Sequence, residues 1–368
     1  MLTTRIVLLP DRGSRLLIAE AELPTPGDHK VVVKLRAAGI CHSELHQIRR
    51  ARSEPEALGH EGVGTVVEVG DKVSSVVAGD SVLITWVPRR ARTLTEPLGP
   101  NFVQLRDGRR ASYGTVYTWA EHALLDEELV VKVPERTATP EAAILGCAVI
   151  TGAGAVCRTA DVKQGESVAI FGAGGVGLSA LAAAKLRRAD PLIAIDVQQE
   201  KLDLARSFGA THTIDSSQRD AVTAIRELTP IGEPLRLTGS AEMAGVDWAF
   251  DCIGYPQTIR QIVASVRPAV LGERPGGVAV LVGVPQASVD LEVLDLMENG
   301  KTLTGSLAGS GRSAEDLPLF AEWYEQGHLK LDMLVTERYP LEEVNEAVER
   351  LMAGKILGRA ILELGDGT

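Results

Sequence analysis

The sequence predicts an α/β fold, a doubly wound parallel sheet, preceded by a small all-β domain. Three observations predict it. The first is the stretch Val168-Ala-Ile-Phe-Gly-Ala-Gly-Gly-Val-Gly-Leu-Ser-Ala180. It sets an apolar run, Gly172, Gly174 and Gly177 in G-x-G-x-x-G spacing, and a small-residue run, which reads as strand, tight turn and helix. The second is Leu192-Ile-Ala-Ile-Asp196, an apolar strand ending in a carboxylate about 20 residues past the last glycine. The third is a change of texture near Pro140, from Val-rich strands to strands alternating with helical patterns.

Taken in order, residues from Thr4 to about Val133 read as mainly β. Val31 to Ala38 and Gly62 to Gly70 alternate or run apolar between Gly and Pro punctuation. Val69-Gly-Asp71 and Ala78-Gly-Asp80 signal turns, and short strands at this spacing suggest a small barrel. Alternating strands and helices then run to Val278-Ala-Val-Leu-Val-Gly-Val284, a strongly apolar strand near the end of the sheet whose unpaired edge would serve subunit association. Two amphipathic helical stretches, Glu315 to Gln326 and Leu341 to Met352, and a last strand, Arg359 to Leu364, close the chain. No internal repeat is visible.

The glycines have separate physical tasks. Gly172 permits the turn, Gly174 lets the backbone approach a pyrophosphate, and Gly177 lets the helix pack on the strand. The helix start offers free N–H groups and partial positive charge to phosphates. Glycines this dense also occur in plain βαβ turns, so Asp196 adds the weight. A strand-end acid accepts hydrogen bonds from an adenosine ribose and repels a 2′-phosphate, which points to NAD. Val197 and Gln198 offer no arginine for such a phosphate.

At 368 residues the chain exceeds one typical core, so two domains are expected. A net charge of -11 argues against nucleic acid or an anionic membrane as a general partner. Four cysteines without a C-x-x-C pair make no disulfide framework and fit a reducing cytoplasm. The start, Met1 to Pro10, has too short an apolar run for a secretory signal. Ala142 to Cys157 and Val168 to Ala184 are long and uncharged, but glycines interrupt both, and a membrane span is the poorer account.

Three places carry soft or imidazole ligands: Gly39-Ile-Cys41-His42-Ser43-Glu44-Leu45-His46, Leu58-Gly59-His60-Glu61-Gly62, and Leu145-Gly146-Cys147-Ala148. Two thiolates and an imidazole make a three-ligand zinc site with one open position, the catalytic pattern. Each alone also reads as a small buried residue or an ordinary histidine.

With these motifs the chain resembles the zinc-dependent alcohol dehydrogenases of the medium-chain dehydrogenase/reductase family. The match runs in order over nearly the whole length: G-I-C-H-S-E-L-H, G-H-E-G-V-G, L-G-C-A-V-I-T-G, F-G-A-G-G-V-G, the strand-end aspartate and V-L-V-G-V-P. The resemblance implies a GroES-like catalytic barrel over residues 1–147, a Rossmann domain over 148–307, and a segment 308–368 returning to the catalytic domain. It assigns Cys41, His60 and Cys147 to one catalytic zinc, with Glu61 as a nearby carboxylate. Ser43 falls at the hydroxyl that meets the substrate oxygen and His46 at the outer end of the proton relay. Thr151 and Val282, with Val284 close by, match nicotinamide contacts, and Gly172, Gly174, Gly175, Val176 and Gly177 the phosphate turn. Asp196 and Lys201 match the adenosine-ribose pair, His42 a basic residue near the phosphates, and Arg359 a pyrophosphate-binding arginine. The implied reaction passes hydride between an alcohol and NAD, reversibly, in a cytoplasmic homodimer or homotetramer. Zinc lowers the pKa of the alcohol and a hydroxyl-to-imidazole relay removes the proton. A relative that keeps its cofactor and uses an external acceptor, and a non-catalytic dinucleotide-binding protein, are the rivals.

Two departures stand out. Many relatives hold a structural zinc on a four-cysteine lobe. Here that stretch, Arg89-Arg-Ala-Arg-Thr-Leu-Thr-Glu-Pro97, has no cysteine, so no structural zinc is expected. The stretch is also basic: Arg89, Arg90, Arg92, Arg106, Arg109 and Arg110 follow Arg49, Arg50 and Arg52. These read either as solvated or paired charges or as a mouth attracting anionic substrates. Trp86, Trp119 and Leu307 fall, by the resemblance, at substrate-pocket walls; core packing is the other reading for the tryptophans. Indoles lining the pocket would favour flat or slim apolar alcohols. Cys157 and Cys252 read as buried small residues, and His122 as a strand residue without a role.

Overall fold

The computed structural model describes residues 1–10, 15–50, 52–90, 102–230 and 243–365. In chain order the strands are β1 (Leu2–Leu9), β2 (Leu17–Leu23), β3 (Lys30–Ile40), β4 (Glu56–Ala57), β5 (Glu61–Val69), β6 (Ser81–Thr85), β7 (Phe102–Leu105), β8 (Arg110–Ser112), β9 (His122–Asp126), β10 (Val130–Lys132), β11 (Val168–Phe171), β12 (Leu192–Asp196), β13 (His212–Asp215), β14 (Trp248–Asp251), β15 (Val278–Leu281), β16 (Thr302–Gly305), β17 (Val335–Pro340) and β18 (Arg359–Glu363). The helices that carry site residues are α1 (His42–Arg49), α2 (Ala148–Gly154) and α3 (Gly175–Leu186). The chain divides into two compact units, Met1–Ile150 with Arg312–Thr368, and Thr151–Gly311.

In the first unit β1, β2, β7, β8 and β4 close into a barrel, and a second sheet runs β10-β6-β5-β3-β18-β17 with β9 also paired to β3. The alternation seen in the sequence has its usual cause: Ile6, Val33, Leu35, Leu58, Val66 and Val82 turn inward to one apolar core. The terminal strand β18 pairs antiparallel with β3, Ala360 opposite Ile40. This register sets Arg359 beside the end of β3, next to Cys41. His122 opens β9, facing Lys34.

The second unit is a six-stranded parallel sheet in the order β13-β12-β11-β14-β15-β16. Numbered within the unit this is 3-2-1-4-5-6, the doubly wound order whose switch point lies beside the first strand. Every residue of β11 and β12 is buried, which explains their unbroken apolar runs: helices cover both faces. The sheet corrects one expectation. Val278 to Val284 contains no edge strand, because β15 pairs with β14 and with β16. The edge on that side is β16, Thr302–Gly305, which lacks an apolar run, and the opposite edge is β13.

No single helix among the described residues is long and apolar enough to cross a membrane. The bent pair Pro140–Gly146 and Ala148–Thr159 passes the test of length and composition together, but most of its residues are buried. Cys157 and Cys252 are partly exposed rather than buried, and all four cysteines are free.

Candidate metal centre and nucleotide turn

The metal centre grows from three chain segments of the first unit. Cys41 follows β3 directly and is the N-cap of α1, with extended backbone. His60 stands one residue before β5. Cys147 sits between the 3-10 turn Pro140–Gly146 and α2. Close packing fixes the last segment: a Cβ on Gly146 would lie 2.1 Å from Ile84 O. Thr85 Oγ1 donates to the Gly146 carbonyl at 2.6 Å. The result brings the ligand atoms of Cys41, His60 and Cys147 within 4.8 Å of one another. His60 Nε2 lies 3.2 Å from Cys147 Sγ.

The electrostatics suit a divalent cation. Cys41 is held well below the ordinary thiol range, first by the hydrogen bond from Cys147, with the Arg359 charge helping. The same bond and burial push Cys147 up. Burial works to lower His60, but the charges of Glu44 and Cys147 outweigh it and raise it. Two thiols and an imidazole competing for protons in a buried cluster describe a donor set whose protons a metal would displace. The residues present fit zinc with three protein ligands.

Two carboxylates surround the ligands. Glu44 is fully buried; its Oε1 lies 2.5 Å from His60 Nδ1 and its Oε2 accepts from Cys41 N at 2.9 Å. It therefore orients one ligand and ties down the backbone of another, the task of a partner behind a metal-bound histidine. The sequence reading missed it. The signal was its place three residues after Cys41, at the N3 position of a capping box. Glu61 is also fully buried and accepts from Ala148 N at 3.1 Å. Burial pushes its pKa up to about 7, with the Arg359 charge acting the other way.

Arg359 has a partner that the sequence did not reveal. It is 5% exposed and its Nη2 pairs with Glu61 Oε1. The guanidinium is thus counter-charge to a buried carboxylate of the metal centre, and its Nε keeps a donor without a partner. Trp119 departs from expectation. It is fully buried, and its Nε1 donates to Gly39 O at 2.9 Å. With no exposed surface it is core, not a pocket wall. Trp86 is partly buried just past β6.

On α1, Ser43 Oγ lies 3.5 Å from Cys41 Sγ. His46 follows three residues later, hence on the same helix face, and is partly exposed; His42 is exposed.

The second unit holds the nucleotide turn. Gly172 has φ +94, and its N–H donates to Ile195 O at 2.8 Å. A Cβ on Gly177 would lie 1.8 Å from Gly172 O, so helix and turn touch there. Gly174 differs: nothing lies within 4 Å of where its Cβ would be. The chain itself does not demand glycine at 174. It is the N-cap of α3 without a side-chain cap, so Gly175 and Val176 begin the helix with free N–H groups. Asp196 ends β12, 8% exposed, with Oδ2 accepting from Ala173 N and Oδ1 from Val197 N and Gln198 N. Its carboxylate is thus anchored to the turn, with acceptor capacity left over. Lys201 is partly exposed, as are Thr151 on α2 and Val282 after β15; Val284 is exposed. Gly152 was missed: a Cβ there would lie 2.1 Å from Val176 O, so α2 and α3 meet at that residue. Leu307 is 80% exposed.

The basic cluster is largely neutralised within the first unit. Arg89 faces Glu127 and Glu128, and Arg90 faces Glu128. Arg106 pairs with Glu20, Arg109 with Asp107 and Arg50 with Glu56. Arg110 lies over the Phe102 ring, and Arg52 donates to two backbone carbonyls. Arg49 is exposed, while Arg92 and residues 91–101 of the cysteine-free lobe lie outside the described residues.

Comparison with known proteins agrees with this reading. Residues 27–135 match the alcohol dehydrogenase GroES-like domain, and residues 175–326 match the zinc-binding dehydrogenase family. The chain is 29% identical to an alcohol dehydrogenase class-3 of Cereibacter sphaeroides, over 98% of this chain and 99% of the relative. It is 30% identical to alcohol dehydrogenase 6 of Peromyscus maniculatus, over 95% of each. Among solved structures, benzyl alcohol dehydrogenase of Acinetobacter calcoaceticus superposes with a TM-score of 0.85 at 29% identity, covering 99% of this chain and 100% of that one.

Proposed function

This chain belongs to the zinc-dependent alcohol dehydrogenases of the medium-chain dehydrogenase/reductase family, and from that premise we propose that it oxidises small alcohols reversibly to aldehydes or ketones with NAD. The observation that carries the reading is the buried Cys41, His60 and Cys147 cluster, with ligand atoms within 4.8 Å of each other. These three residues would hold one zinc, which supplies the Lewis acidity that lets an alcohol shed its proton near neutral pH. The turn at Gly172, Gly174, Gly175, Val176 and Gly177 would take the pyrophosphate of NAD, the hydride acceptor, and Asp196 with Lys201 the adenosine ribose.

The chain's own residues have defined tasks. Ser43 presents a hydroxyl beside Cys41, where it can accept the substrate proton and donate its own. His46 receives that proton on the same helix face and, being partly exposed, passes it to solvent. Glu44 holds the His60 ring through Nδ1, and so leaves Nε2 to the metal. Glu61 and Arg359 set the charge behind the ligands. His42, Thr151, Val282, Val284 and Arg359 remain the proposed cofactor contacts, and Trp86 and Leu307 the proposed substrate walls.

The absence of cysteine from Pro88 to Asn101 supports one zinc per chain and no structural zinc. Four free cysteines support a reducing, cytoplasmic setting. The open edge of β16, beside a helix at Val293–Glu298 with Val293, Leu294 and Met297 at 70%, 52% and 70% exposure, supports a homodimer built on that edge. Light scattering at micromolar concentration checks this, with a stable monomer as the contrary result.

The deciding experiment measures zinc per chain and steady-state oxidation of an alcohol panel with NAD⁺ and with NADP⁺. One zinc and a preference for NAD⁺ are expected. Absence of bound zinc and of alcohol oxidation with either cofactor would overturn the function, and a preference for NADP⁺ would overturn the role of Asp196.

A further inference from the structure

We propose that Thr118 and Trp119 are positioning residues of the metal centre, a clamp that holds the segments carrying Cys41 and His60 at the spacing one ion needs. The inference rests on the zinc reading above and deepens it, since neither residue is a ligand.

The clamp answers a gap in the sheet. The antiparallel pairing of β3 with β5 ends at Ala38 opposite Gly62. Cys41 lies beyond that end on one chain segment, and His60 lies beyond it on the other. The ladder bonds that fix strand register therefore stop short of both ligands. Something else must set how far apart Cys41 and His60 stand.

Thr118 and Trp119 lie in the connection between β8 and β9, and both are fully buried. Their backbone N–H groups both donate to Leu58 O, at 3.1 and 3.0 Å. Thr118 Oγ1 donates to Glu61 O at 3.0 Å. These bonds bracket His60 along the chain. Trp119 Nε1 donates to Gly39 O at 2.9 Å, on the segment that leads into Cys41. One dipeptide thus grips both ligand segments by their backbone carbonyls. Gly59, with φ +93, shows how close the grip is. A Cβ there would lie 2.5 Å from Thr118 Oγ1 and 2.6 Å from Trp119 Cδ1. A buried network whose donors are satisfied is rigid and specifies one arrangement. Tyr117 supplies the contrast. It is 1% exposed, but its hydroxyl accepts from Leu124 N at 3.0 Å, and Leu124 sits on β9 opposite Val32, away from the ligand segments.

The test follows zinc release to a chelator from the zinc-loaded protein. Trp119→Phe and Thr118→Val each remove one donor of the clamp and keep the side chain's bulk. Tyr117→Phe removes an equally buried polar group outside it, and Thr118→Ser keeps the hydroxyl. Release should quicken about 10-fold in Trp119→Phe and in Thr118→Val, because partners behind metal ligands typically carry effects of that size. Tyr117→Phe and Thr118→Ser should release zinc at the native rate. Native release from either Trp119→Phe or Thr118→Val overturns the clamp. Equal quickening in Tyr117→Phe also overturns it, since the effect would then be general loosening of the core, as does a Thr118→Ser protein that behaves like Thr118→Val. Amide exchange in the native sequence needs no variant to fold. If the clamp and the ligands are coupled, stripping zinc should speed exchange at Thr118 and Trp119 about 10-fold and leave Leu124 unchanged. Equal rates at Thr118 and Trp119 with and without zinc, or equal speeding at Leu124, overturn the proposal. A native protein that holds no zinc overturns the metal centre itself and the clamp with it, whereas native zinc content with unaltered release in the variants overturns the clamp alone.

Discussion

The metal centre and the nucleotide turn solve opposite construction problems. The turn is made of backbone, from one contiguous stretch, and its side chains are mostly absent by design of the sequence: Gly172, Gly174, Gly175 and Gly177. The metal centre is made of side chains brought from residues 41, 60 and 147, with Glu44, Glu61 and Arg359 behind them. The difference teaches where each can fail. A backbone site fails sterically, when a Cβ enters space it needs. A side-chain site fails chemically, when one donor or its orienting partner is lost.

The largest expected effect removes a donor. Cys147→Ala should bind zinc poorly and lose alcohol oxidation by about 1,000-fold or more, because two ligands rarely hold a catalytic metal. Its melting temperature should stay close to native, since the thiol is not part of the barrel's apolar core. Elemental analysis, the assay and thermal unfolding check this together. A variant that keeps both zinc and activity breaks the side-chain half of the comparison.

Next come two glycines that look equivalent in the motif and are not. Gly177→Ala places a Cβ 1.8 Å from Gly172 O, so backbone must shift, at a cost of about 1–3 kcal/mol or more in unfolding experiments. Gly174→Ala meets nothing within 4 Å and has an ordinary φ of -84, so stability should change by less than about 1 kcal/mol. NAD affinity, followed by fluorescence titration, should nonetheless fall about 10-fold for Gly174→Ala, because the Cβ takes room the cofactor needs. Equal destabilisation by both substitutions would contradict the division of labour.

A smaller effect probes orientation. Glu44→Gln keeps the volume and loses the charge facing His60, so zinc affinity should fall about 10- to 100-fold while the cluster still forms. Competition with a chelator measures it. Native affinity in this variant would reduce Glu44 to a helix cap.

These contrasts also explain what could be read in advance. The glycine turn, Asp196 and the α/β texture are local, so sequence spacing carries them. Cys41, His60 and Cys147 were legible as three short motifs whose donor types together suit a catalytic zinc, and the resemblance assigned them to one ion. Glu44 was hidden because an acid at N3 is common on solvated helix starts, and its burial depends on packing that spacing does not express. The pairing of Arg359 with Glu61 joins residues 298 apart through the β18–β3 register. The edge strand was misplaced because apolar content marks buried strands, whereas Thr302-Leu-Thr-Gly305 is the exposed one. For Trp119 the resemblance put the side chain at the pocket and core packing was the other reading; its full burial and the Gly39 hydrogen bond decide for the core.

The smallest expected effect lies outside both sites, in the arginines near the lobe. The sequence left open a field that gathers anionic substrates. The structure pairs Arg89 and Arg90 with Glu127 and Glu128, Arg106 with Glu20 and Arg109 with Asp107, in a chain of net charge -11. A charge beside its counter-charge is a dipole, whose field falls faster with distance than that of a free ion. Free ions are themselves screened beyond about 8 Å at physiological salt. An acidic and a neutral alcohol should therefore lose kcat/KM in parallel, within about 2-fold, as salt rises from about 50 to about 500 mM. Replacing Arg89 and Arg90 by Gln should leave that parallel unchanged and instead lower the melting temperature, chiefly through Arg89, which is 15% exposed and whose loss takes a counter-charge from the buried carboxylates of Glu127 and Glu128, whereas Arg90 at 74% exposure contributes little. A markedly steeper salt dependence for the acidic alcohol in the native enzyme, lost in the double variant, would restore the attracting mouth. It would mean that a site built from side chains extends its chemistry beyond the metal, which the turn built from backbone does not do.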